Sequence, residues 1–89
     1  MVQHQGITAE EIRIYCRDYY VIPARKKNEK QITIRVGDVH KILGLSGRYG
    51  SVDDAIGADL FQNLARVMKI KEEGPHHAPS KKFTFQILP

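Results

Sequence analysis

The chain of 89 residues holds a single cysteine, Cys16, and no tryptophan. One thiol excludes an internal disulfide and any metal site built on paired cysteines. No apolar run approaches the roughly 20 residues that a membrane-spanning helix needs. The opening MVQHQGITAEEI lacks a basic start followed by an apolar block, so no signal peptide is expected and a cytoplasmic location is. Internal repeats, low-complexity tracts and long linkers are also missing, which leaves one domain over residues 1–89 with an ordered core of about 7–88.

Catalytic constellations are scarce as well. There is no Walker-type phosphate loop and no Gly-x-Ser-x-Gly elbow, and the glycine-rich GLSGRYG has the spacing of neither. The histidines are His4, His40, His76 and His77. His40 is expected on the solvent face of a short helix beside Lys41. His76 and His77 are adjacent, whereas zinc ligands on one element are normally separated by several residues. No metal or other cofactor is therefore expected. Cys16 falls on the apolar side of a helix, where a thiol is usually an inert packing residue. Nothing assembles a nucleophile, a base and an orienting group, so an enzyme is not expected.

What the chain does hold is clustered charge. Hydrophobic content is 42% and charged content 27%, as in an ordinary folded domain, and the net charge is +4 with a pI near 9.4. Residues 1–22 sum to −1, residues 23–50 to +5, residues 51–64 to −3 and residues 65–89 to +3. Such clustering is an electrostatic footprint of nucleic-acid binding, and also of a mildly basic protein with no anionic partner.

Periodicity supplies the elements. Thr8 followed by Glu11 is a capping-box pattern, and Ile12, Tyr15, Cys16, Tyr19 and Ile22 then recur at helical spacing. Pro23 is expected to end this helix near Tyr20 or Val21 and to leave ARKKNEK as a basic loop. In QITIRV, Ile32, Ile34 and Val36 alternate with polar residues, the pattern of a half-buried strand. Gly37 and Asp38 are expected to turn the chain, with Asp38 capping a short helix that Gly44 ends in a left-handed conformation. After the turn SGRYG, Ser51 is expected to cap another helix, with Asp54 at the capping-box position. Val52, Ala55, Ile56, Leu60, Leu64 and Val67 extend its apolar stripe to about Met68, and Gly57 marks a kink or a break. The last segment reads as a hairpin. Val67, Ile70 and Glu72 alternate unevenly, GPHHAPSKK forms the loop, and Phe83, Phe85 and Ile87 share one face of FTFQIL.

The order helix, strand, helix, turn, helix, strand, loop, strand over residues 7–88 resembles the winged-helix family, a helix-turn-helix followed by a β-hairpin wing. The resemblance implies an α+β fold and a nucleic-acid-binding function, most simply duplex DNA, in an accessory role or in transcription regulation. It places the groove-entering helix at Ser51, the preceding turn at Arg48 and Tyr49, and wing contacts at His76, His77, Ser80, Lys81 and Lys82. The basic loop adds Arg25, Lys26, Lys27 and Lys30. Lysine and arginine on loops suit phosphate contacts, which position a protein without reading bases. Asp53 and Asp54 cut against a base-reading helix: they suit its dipole but repel phosphates, and the apolar residues after them offer no groups for base edges. A protein-interaction module is the competing expectation, with the acidic turn and the apolar AIGA as its docking surface. A homodimer through helix 1 or the C-terminal strand is a further possible partner.

Overall fold

The computed structural model describes residues 6–89, so His4 lies outside the described residues. The chain begins with α1 (Ala9–Cys16), and its capping box is formed. Thr8 Oγ1 accepts from Glu11 N at 3.1 Å, and Glu11 Oε1 accepts from Thr8 N at 2.8 Å. The helix does not stop at Pro23. A π-helical turn (Arg17–Val21) follows α1 and leads directly into α2 (Ile22–Lys26), with Pro23 in its first turn. The wider π turn, marked by Ile22 N donating to Arg17 O, opens the spiral just before the ring. A tight α spiral would press that ring against the Tyr19 carbonyl. The expected basic loop therefore shrinks: Arg25 and Lys26 are helical, and the chain reverses at Asn28, which has φ 60°.

Strand β1 (Gln31–Arg35) runs straight into α3 (Val36–Ile42) with no turn between them. Asp38 is not the cap; it accepts from Arg35 Nη1 at 3.0 Å. Two first-turn N–H groups of α3, on Val36 and Gly37, instead donate to Lys81 O and Pro79 O, each at 2.9 Å. This approach requires glycine at position 37, where a Cβ would stand 2.8 Å from Pro79 O. Gly44 ends the helical region at φ 68°, as expected.

Helix α4 (Tyr49–Gly57) starts two residues before Ser51 and carries no side-chain cap. It breaks at Ala58, whose ψ of 151° is extended, and α5 (Asp59–Ala65) follows. Beside the break, the Phe83 ring lies 3.2 Å from where a Gly57 Cβ would be. The helical segment ends at Ala65 rather than near Met68, because Arg66 adopts the left-handed conformation and opens β2 (Val67–Glu73). The last strand is β3 (Lys82–Ile87).

The three strands form an antiparallel sheet in the order β1-β3-β2. The register of β2 shifts between Lys69 and Lys71, so Ile70 sits in a bulge and is exposed, which explains the uneven alternation of its sequence. Because β3 is central, it has no free edge along which a second copy can pair. The helices pack on one sheet face around Phe61, Phe83, Phe85, Ile12, Ile34 and Ile56. Phe61 meets Phe85 edge-to-face at 5.1 Å. Leu60 and Leu64, expected in the apolar stripe, are exposed instead, because the break at Ala58 turns α5 so that Phe61 and Ala65 face the core. No helix among the described residues is long and apolar enough to cross a membrane.

Candidate functional site

The loop between β2 and β3 folds back onto α4. Asp53 anchors it: although charged, this residue is only 2% exposed. Its Oδ2 accepts the main-chain N–H of His77 at 2.6 Å and stands 3.6 Å from His76 Nδ1. The next residue along the helix, Asp54, places Oδ1 3.0 Å from His77 Nε2. His77 has φ 62°, and this reversal stacks its ring on that of His76 with centroids 4.0 Å apart. The His77 ring also lies over Gly50, where a Cβ would be 3.3 Å from Nδ1. Gly50, Asp53 and Asp54 share one helical face. The loop thus covers the side of α4 that carries Gly50 and Asp53.

Beside this contact is a triad of charges. Lys81, buried at 6% exposure, places Nζ 3.1 Å from Glu72 Oε1 and 5.3 Å from the centre of the Phe83 ring. Lys69 Nζ meets Glu72 Oε2 at 2.9 Å and Gly57 O at 3.3 Å. Hydrogen bonds from Lys69 and then Lys81 hold the Glu72 carboxyl below its ordinary pKa of 4.5. Asp53, Asp54, Gly57, Lys69, Glu72 and Phe83 are among the residues around an open pocket of about 310 Å³.

The expected nucleic-acid contacts divide into groups. Arg25 is half-buried, and its Nη2 donates to Ala65 O and Arg66 O at 3.1 Å and to Leu88 O at 3.3 Å, so it closes the end of α5. Lys26, Lys27 and Lys30 are exposed and make no ion pair among the described residues. Arg48 Nε donates to Ser51 Oγ at 3.1 Å, and Tyr49 stacks on His40 at 3.9 Å. His76 and His77 are committed to α4, Lys81 is sequestered by Glu72, and Lys82 Nζ lies 4.0 Å from Glu73. Ser80 is exposed.

These residues do not form one basic face. Gln31 pairs with Gln86 at one end of β1, and Arg35 with Lys82 at the other. Lys30 O accepts from Ile87 N at 2.9 Å, which puts the 26–30 lysines at the first end and the β2–β3 loop at the second. The two ends are about 14 Å apart along the strand.

Other expectations change too. His40 is buried, not solvent-facing, and its Nε2 accepts from Arg48 N at 3.1 Å. Burial, and then Arg48, lowers its pKa from 6.5. Of the expected docking surface, Asp53, Ala55 and Ile56 are buried, whereas Asp54 is exposed. Burial pushes the Cys16 thiol up to about 12, which leaves no thiolate nucleophile. The partnership of Asp53 with the two histidines was missed by spacing rules. Its only sequence signal is an aspartate on the apolar side of a helical pattern.

No protein-family model matches the chain, and no curated protein or solved structure matches it.

Proposed function

We propose that this α+β domain has a winged-helix-type architecture and binds nucleic acid, duplex DNA in the first place, in an accessory or regulatory role. The reading is supported by the element order together with the sheet order β1-β3-β2, in which paired helices are followed by a hairpin. The observation that carries the binding assignment is the cluster of Lys26, Lys27 and Lys30. These three exposed lysines, within five residues at one end of the sheet, lack acidic partners among the described residues. Phosphates supply the missing negative charge, and the contact is to backbone rather than to base edges. The helix α4 takes no part in this reading, because the β2–β3 loop sits on Gly50 and Asp53 and the exposed Asp54 repels phosphate.

Three phosphate contacts give a slope of about −3 for the logarithm of affinity against the logarithm of salt concentration. Fluorescence anisotropy with a labelled duplex measures that slope. Reversing Lys26, Lys27 and Lys30 to Glu is expected to abolish binding at low salt while leaving the circular-dichroism spectrum unchanged. Absence of low-salt binding to duplex DNA, single-stranded DNA and RNA alike sinks the reading.

A protein-interaction module is the second reading, favoured by one observation. Leu60 is 62% exposed and Leu64 38%, and with Glu10 and Arg13 they line a depression of about 250 Å³ between α5 and α1. A partner whose binding survives the charge reversal but is lost on Leu60→Asp supports this alternative.

A further inference from the structure

We propose that Asp53, His76 and His77 form a binding site for a divalent transition-metal ion of the zinc class, independent of the nucleic-acid reading. One imidazole nitrogen from each histidine and one oxygen of the Asp53 carboxylate all lie within 4.8 Å of one another. Two imidazoles and a carboxylate are a donor set that zinc, cobalt and nickel accept, whereas calcium and magnesium prefer oxygen alone.

Adjacent histidines fail the usual spacing rule because neighbouring side chains on a regular element point apart. Here the element is not regular. The left-handed conformation at His77 reverses the chain, and the two rings stack 4.0 Å apart beside the same carboxylate. The backbone strain of a non-glycine residue at φ 62° is held by the bond from His77 N to Asp53.

The His76–Asp53 separation is close to the one a metal requires. With bonds of about 2.0–2.1 Å, donors around a tetrahedral ion stand about 3.3 Å apart. His76 Nδ1 and Asp53 Oδ2 are 3.6 Å apart, and the His76 side chain is 69% exposed. Asp53 is the fixed member, being buried and held by α4. Asp54, at 3.0 Å from His77 Nε2, orients the second ring as a carboxylate standing behind a ligand histidine. The adjoining pocket of about 310 Å³ leaves a fourth position open to water. A bound ion links α4 to the wing loop and fixes that loop on the helix.

Titration of the untagged chain with Co²⁺, read by visible absorption, and with Zn²⁺, read by calorimetry, tests the site. One equivalent is expected, with a dissociation constant in the micromolar range or tighter. His76→Ala, at an exposed position, and His77→Asn, which keeps a residue tolerant of the left-handed conformation, are each expected to weaken binding roughly tenfold or more. Zn²⁺ is expected to raise the melting temperature of the parent chain by more than that of His76→Ala at the same concentration. His4→Ala is expected to change nothing. Lack of saturable one-equivalent binding, equal affinity in His76→Ala, or loss of binding in His4→Ala overturns the proposal.

Discussion

The buried carboxylate of Asp53 accepts the main-chain N–H of His77 at 2.6 Å, and this bond ties the β2–β3 loop to α4. A hydrogen bond to a charged group contributes about 1.5–3 kcal/mol, and its loss leaves the His77 N–H without that acceptor. Asp53→Ala is therefore expected to lower stability by an amount in that range, measured by urea unfolding in the presence of a chelator. Hydrogen exchange at residues 76–78 should accelerate more than exchange in β1.

Stability is expected to fall at mildly acidic pH through His40. Its neutral ring accepts from Arg48 N and stacks on Tyr49, and burial lowers its pKa in the folded chain. The unfolded chain takes up the proton at about 6.5, before the folded chain does. The contribution is thus fully present above about pH 6.5 and is lost as pH falls through the depressed folded value. Urea midpoints between about pH 7.5 and pH 5 check this: His40→Gln should be less stable at the upper end and should show a smaller decline.

Arg25 is expected to behave as a structural residue. Arg25→Met removes donors to three carbonyls at the junction of α5, β2 and the C-terminal segment, at a cost of about 1–3 kcal/mol. Lys26→Met, at an exposed position without an ion pair among the described residues, should change stability by less than about 0.5 kcal/mol. Thermal or urea unfolding of the two variants separates the roles.

Ser51→Ala is expected to cost less than about 0.5 kcal/mol, below the ~1 kcal/mol typical of a lost N-cap. The reason is position: Ser51 lies inside the first turn of α4, where its Oγ accepts from Arg48 Nε rather than capping a backbone N–H. A larger loss in urea unfolding would place the cap back at Ser51.

Local chemistry explains why part of the fold was legible. Thr8 and Glu11 make a capping box from their own side chains, Gly44 adopts the conformation that only its missing Cβ makes easy, and the alternation in β1 and β3 follows from the two faces of a strand. The helix through Pro23 was not legible, because the π turn that accommodates the ring has no local signature. Leu60 and Leu64 fit the same helical period as Ile56, but only the break at Ala58 decides that they face outward.

Read from its residues alone, the chain is a small α+β domain with clustered basic charge, a single thiol on an apolar helix face and a pair of acids at the start of a helix. What those acids do depends on the folded contacts. Asp53 and Asp54 read as groups that repel phosphate, yet they hold the loop bearing His76 and His77, residues more than 20 positions away. Folding also divided the basic residues, burying Lys81 on Glu72, spending Arg25 on carbonyls and leaving Lys26, Lys27 and Lys30 unpaired among the described residues. Charge is a property of the sequence, but whether a charge is free depends on what the fold brings within about 4 Å of it.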